Sequence, residues 1–133
     1  MTEKPSETLE GGCACSAVRY EVIWPPDFAL QCGCRKCQRA SGGGHSSSFV
    51  VNEKALQISG ELRFFEQPSD SGHPTRSGFC PTCGSPVMNL ASRFPESRYL
   101  HAATLDDPAR FAPSFVVFRE QAPPWDLLDP ELK

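Results

Sequence analysis

The seven cysteines of this 133-residue chain fall into three clusters: Cys13 with Cys15, Cys32 with Cys34 and Cys37, and Cys80 with Cys83. An odd number of thiols cannot all pair as disulfides, and thiols this close in sequence are spaced as metal ligands are. The arithmetic divides as four plus three. In CPTCG (80–84) two thiolates three positions apart can face one ion, and the glycine that follows lets backbone amides turn toward sulfur. Cys13 and Cys15 lie two apart, so an extended backbone points both side chains to one face. Together the two pairs make a four-sulfur tetrahedral site, for which we expect a structural role. It would close a loop of about seventy residues, as suits a small, turn-rich domain.

The remaining thiols, in CGCRKC (32–37), leave one tetrahedral position open. An open position distinguishes catalytic from structural zinc, and a three-thiolate site favours an incoming thiol held as thiolate. Other arrangements fit the same residues: His45 or solvent could close the site, the clusters could regroup, or the triad could be a redox-sensing set. Arg35, Lys36 and Arg39 surround the triad and could meet ligand carboxylates, or could form an ordinary solvated turn. His45, behind the glycine run at 42–44, is a candidate proton shuttle because an imidazole titrates near neutrality. His73 reads as a loop residue and His101 as a sheet residue.

These groups must be positioned by short elements. AVRYEVIW (17–24) alternates apolar and polar residues and stops at Pro25-Pro26, as a half-buried strand would. Further strands are expected at 28–32, 47–52, 56–59, 62–66, 76–80, 86–90, 99–105 and 114–120, with one short helical turn in 35–42. A loop is expected at 69–74 and a tight turn at Gly60-Glu61. About nine short strands and no long helix predict an all-β domain of several small sheets. Phe49, Phe64, Phe65, Phe79, Phe115 and Phe118 are the candidate aromatic core, and Trp125 either clamps the C-terminal segment or lines a pocket. Residues 1–10 are polar and expected to be flexible, leaving 11–133 as a single domain.

Composition narrows the partners. A net charge of -3 offers no basic field for nucleic acid. No stretch approaches the roughly 20 apolar residues of a membrane span, and MTEKPSETLEGG is not a secretory leader, so a cytoplasmic protein is expected.

GGCACSAVRYEV, CGCRKCQRASG, ISGELRFF, GFCPTCGSPV and TLDDP followed by PPW, in this order, resemble the glutathione-dependent formaldehyde-activating enzyme family, also called the centromere-protein-V-like domain. The resemblance runs from Gly11 to Trp125. It implies a β-tent fold of small antiparallel sheets and two zinc ions per chain, a structural one on Cys13, Cys15, Cys80 and Cys83 and a catalytic one on Cys32, Cys34 and Cys37. It also implies a carbon–sulfur lyase that joins glutathione, as cosubstrate, to formaldehyde, giving S-hydroxymethylglutathione. The alternative is a non-catalytic zinc-binding module that mediates protein contacts. Where the family often has a histidine between the first two triad cysteines, a glycine after the first cysteine pair and a histidine in the last strand, this chain has Gly33, Ser16 and Val116.

Overall fold

A computed structural model describes residues 6–68 and 72–133; positions 1–5, and 69–71 of the expected loop, lie outside the described residues. Among the described residues there are ten strands and one seven-residue helix: β1 (Glu7–Gly12), β2 (Arg19–Trp24), β3 (Phe28–Cys32), α1 (Arg35–Ser41), β4 (Ser46–Asn52), β5 (Leu56–Ser59), β6 (Arg63–Gln67), β7 (Thr75–Phe79), β8 (Pro86–Ala91), β9 (Ser97–His101) and β10 (Phe115–Val117). The all-β expectation holds. The strands form a three-stranded sheet, β1-β2-β5, and a seven-stranded sheet, β10-β3-β4-β9-β8-β7-β6. All pairs are antiparallel except β10 with β3. Among the described residues no helix is long and apolar enough to cross a membrane.

The alternation read in 17–24 is realised in β2, where Tyr20, Val22 and Trp24 turn inward while Glu21 and Ile23 turn out. They pack on Phe49, Val51, Met88 and Leu100 from one face of the larger sheet. Trp24 and Phe49 meet edge to face at 5.2 Å.

Three expectations need correction. Residues 7–10, expected to be frayed, are the bulk of β1, which pairs with β2 along its whole length from Glu7↔Trp24 to Gly12↔Arg19. The ladder there rests on backbone groups, on Leu9 against the core and on the Arg110–Glu7 ion pair at 2.6 Å, none of which a local hydrophobic pattern reveals. The last two strands are shorter than expected, because the chain turns into 3-10 helices at Ala102–Thr104 and Arg119–Gln121. Of the six phenylalanines assigned to the core only Phe49 is fully buried; Phe65 and Phe118 are more than half exposed.

The two sheets are also joined by a polar relay. The Tyr20 hydroxyl donates to Thr104 Oγ1 at 2.7 Å, and Thr104 donates to the His101 carbonyl at 2.7 Å. Gly11 permits the approach, since a Cβ there would lie 2.4 Å from both the Thr104 carbonyl oxygen and the Tyr20 ring.

Burial raises the Tyr20 hydroxyl to about 12. A phenol whose folded pKa exceeds its unfolded one keeps its proton longer when folded, so stability is lost as pH climbs from about 10 toward 12. We predict that Tyr20→Phe lowers stability by about 1 kcal/mol at neutral pH, the worth of one hydrogen bond. Denaturant titrations across that alkaline window should show a shallower decline for Tyr20→Phe than for the native chain; parallel declines would remove Tyr20 as the cause.

Candidate functional site

The connection between β1 and β2 carries Cys13 and Cys15, and the turn between β7 and β8 carries Cys80 and Cys83. The four Sγ atoms lie within 4.8 Å of one another. Cys13 and Cys15 are 3.6 Å apart and Cys15 and Cys80 3.7 Å apart, close to the ~3.8 Å between sulfurs of a tetrahedral zinc site with 2.3 Å bonds. None is in a disulfide. Backbone amides point at the sulfurs, Val18 N–H at Cys13 (3.3 Å) and Thr82 N–H at Cys80 (3.4 Å), as thiolates require. Gly84, at φ +76°, closes the knuckle by donating its N–H to the Cys80 carbonyl. The Cys83 thiol is drawn down to about 5 by the Ser85 hydroxyl 3.2 Å away. Spacing, donor type and amide orientation therefore fit a zinc ion.

The other cluster is assembled by a strand end and a helix start. Cys32 ends β3, Cys34 is the N-cap of α1, and Cys37 lies in its first turn with its N–H on Cys34 Sγ at 3.4 Å. Gly42, left-handed at φ +76°, ends the helix. The three Sγ atoms again lie within 4.8 Å, and no fourth ligand atom joins them among the described residues. The Cys37 thiol is drawn down to about 6 by its hydrogen bond with Cys32, and the same contact pushes Cys32 up, so the pair shares a proton. This donor set also fits zinc, with three sulfurs.

Gly33 has no room for a side chain: a Cβ would lie 2.7 Å from the Phe118 carbonyl oxygen and 3.1 Å from Ala122 Cβ. The segment after β10 lies against this loop and is buckled there by buried Gln38, whose amide donates to the Gly33 and Gln121 carbonyls at 2.9 and 3.0 Å. Sequence reasoning passed over Gln38 because a glutamine in a charged helix reads as solvated. Arg35 is held on Gln38 Oε1 and Lys36 on the Pro68 carbonyl, each at 2.5 Å. Arg39 is in no ion pair among the described residues.

The pleat sorts the remaining polar groups onto two faces. Cys32 is in register with Ser46, and Ser48 with His101. These four share one face, and Asn89 and Ser77 continue it, since Asn89 is in register with both Ser77 and Tyr99. Gln31 and Ser47, one position away, face the other side and bond at 3.2 Å. His45 belongs with them. Its Nδ1 is 2.7 Å from Asp126 Oδ2 and its Nε2 is 3.2 Å from the Gln31 amide nitrogen, so the amide donates to Nε2 and Nδ1–H donates to the carboxylate. Both ring nitrogens are engaged away from the triad, which corrects the expectation of His45 as a shuttle beside it. Trp125, 69% exposed, is no clamp; its neighbour Asp126 does that work.

On the triad's own face, between α1 and the sheet, is a cleft of about 250 Å³ with Arg39, Phe65, Ser77, Phe79, Asn89 and His101 among its lining residues. His101 and Asn89 were not foreseen as site residues, because only the long-range register of β4, β8 and β9 brings them here.

The chain matches, over residues 8–121, the family described as glutathione-dependent formaldehyde-activating enzyme. It is 30% identical over 123 residues to a Halomonas elongata protein named "Putative glutathione-dependent formaldehyde-activating enzyme", covering 88% of this chain and 78% of that protein. A crystal structure of a Rhodobacter sphaeroides protein has the same fold at a TM-score of 0.59 and 23% identity, covering 74% of this chain and 88% of the other.

The His45–Asp126 contact joins the loop before β4 to the C-terminal segment, 81 positions away. We predict that Asp126→Ala lowers stability by about 1–2 kcal/mol and speeds hydrogen exchange at Gly44 and in residues 118–128. Unchanged exchange in that segment would mean that it is held by Gln38 alone.

Proposed function

The chain belongs to the glutathione-dependent formaldehyde-activating enzyme family, and from that premise we propose that it joins glutathione to formaldehyde, as a carbon–sulfur lyase, at the three-cysteine cluster. The observation that carries this reading is the convergence of the Cys32, Cys34 and Cys37 sulfurs within 4.8 Å without a fourth protein ligand. Cys32, Cys34 and Cys37 would hold zinc through three thiolates, and the ion, when bound, supplies a position where an incoming thiol is kept as thiolate at neutral pH. Cys13, Cys15, Cys80 and Cys83 would hold a second, structural zinc.

In the overall addition the thiol sulfur bonds to the carbonyl carbon, the carbon–oxygen π bond opens, and the proton released by the thiol ends on that oxygen. The balance needs no oxidant or further reactant. Ser46, whose hydroxyl reaches Cys37, steadies the cluster's negative charge. Arg35, Lys36 and Arg39 lie on the exposed side of α1 and supply positive charge where glutathione brings two carboxylates. Proton transfer falls to water or to cleft groups rather than to His45. Seven unpaired thiols suit a reducing compartment such as the cytoplasm.

Two clusters of unlike denticity should differ in tightness. We predict two zinc ions per chain, released in two stages under graded chelation, with thiol-dependent formaldehyde consumption lost in the first. Cys37→Ser should abolish that consumption while circular dichroism and the unfolding midpoint change little, whereas Cys83→Ser should lose soluble folded protein. A single tightly held ion with Cys32, Cys34 and Cys37 as free thiols would replace the enzyme reading with that of a zinc-binding module.

A further inference from the structure

Among the described residues of α1, Gln38 alone is buried, at 6% exposure. A short surface helix ordinarily turns an apolar stripe to its sheet, where a leucine or methionine would pack without a polar group to satisfy. Gln38 instead has both polar atoms of its side chain engaged. Its Nε2 donates to the Gly33 carbonyl at 2.9 Å and to the Gln121 carbonyl at 3.0 Å, and its Oε1 accepts from Arg35. Its backbone N–H donates to the Cys34 carbonyl at 2.9 Å. One residue thus holds two consecutive carbonyls of the turn that carries Cys32 and Cys34. That turn needs holding. The spacer between the two cysteines is a glycine, the residue with the widest choice of φ and ψ, and the Phe118 carbonyl leaves no volume in which a side chain could stiffen it. The Gly33 N–H donates to the Val117 carbonyl at 3.0 Å, so this residue is gripped by the end of β10 on one side and by Gln38 on the other.

We propose that Gln38 is a positioning residue of the three-cysteine cluster: its side-chain amide sets the Gly33 peptide, and through it the separation of the Cys32 and Cys34 sulfurs, for metal ligation. The proposal rests on the reading that Cys32, Cys34 and Cys37 hold zinc. Cys34 and Cys37 are placed by the helix itself, since Cys34 caps α1 and takes the Cys37 N–H on its Sγ. Cys32 is different. It belongs to β3, and the bond from Gln38 to the Gly33 carbonyl is where the helix takes hold of the strand end. Ligands fixed in place before an ion binds lose less freedom on binding it, so a clamp of this kind shows as tighter metal retention. The second amide N–H goes to Gln121, and the C-terminal segment thereby shares the clamp.

The test compares the full-length, zinc-loaded native chain with three variants. Gln38→Glu keeps the shape and the acceptor but replaces the donating NH2 with oxygen; Gln38→Met fills the space without polar atoms; Asp126→Ala frees the C-terminal segment and keeps the Gln38–Gly33 bond. Under graded chelation both Gln38 variants should release the ion of the three-cysteine cluster at about 10-fold lower chelator concentration, while release from Cys13, Cys15, Cys80 and Cys83 stays at the native value. Loaded with cobalt, they should shift the thiolate charge-transfer and ligand-field bands of the three-cysteine cluster alone. Asp126→Ala should leave both readouts native. Gln38 variants that weaken the two clusters together, or neither, mark the residue as structural and overturn the proposal. So does an Asp126→Ala variant with the same selective loss, since the segment rather than the amide would then do the positioning. The zinc reading fails separately, if the native chain holds one ion and Cys32, Cys34 and Cys37 stay free thiols. The clamp is then judged on the Gly33 amide, whose hydrogen exchange should be about 10-fold faster in Gln38→Glu than in the native chain; equal exchange overturns it.

Discussion

The meeting of Cys13 and Cys15 with Cys80 and Cys83 is the constraint on which the rest of the molecule depends. Each pair sits in a connection between adjacent strands, the first in the smaller sheet and the second in the larger, so one cluster fixes how the sheets face each other. A contact between residues so far apart must offset a loop-closure entropy that grows only slowly with length, and four ligands to one ion would do so at a point. The hydrophobic layer lies between the same two surfaces, with Tyr20, Val22 and Trp24 meeting Phe49, Val51 and Leu100. The Tyr20–Thr104 relay adds direction to that layer, because it is satisfied in one alignment of the sheets.

Spending one face of the larger sheet on the core leaves the other face for chemistry. Strand β4 carries both tasks in its sequence SSSFVVN: Phe49 and Val51 enter the core, while Ser46 and Ser48 are buried on the opposite face, where α1 packs against the strand. Helix α1 is too short to be stable alone. Its caps, Cys34 and Gly42, and the Gln38 buckle to the C-terminal segment hold it in place. The triad thus lies where strand, helix and C-terminal segment converge.

The thiols were legible because metal ligation imposes short-range spacing, and β2 was legible because its burial alternates with strict period two. What stayed hidden depends on register. Sequence shows that Phe65 and Phe49 sit on strands, but alternation names two faces without saying which is covered, and Phe65 lies on the face that borders the cleft. Likewise Gln31 beside Cys32, and His45 beside Ser46, differ by one position and so serve opposite faces. The proximity of His45 to the triad along the chain was therefore a poor guide to its proximity in space. Asn89 and His101 come onto the triad's sheet face through pairings with strands distant in sequence, which no local window contains.

The three departures from the family's pattern have a common physical logic. Ser16 adopts the left-handed φ of +66°, a conformation that glycine takes without strain, so the turn behind Cys15 is kept at a conformational cost. Gly33 and Val116 belong together. Val116 is buried in the strand beside β3, and the chain that follows it returns over Gly33 so closely that a side chain there would strike the Phe118 carbonyl. The return of this segment, bolted by Gln38, excludes a histidine between Cys32 and Cys34 by volume alone. The side chain that does reach the triad is Ser46 on the same sheet face, and farther along that face, across β4, His101 and Asn89 line a cleft. The triad is thus walled by backbone on the side of the C-terminal segment, while its sheet face runs on across β4 toward β9 and β8.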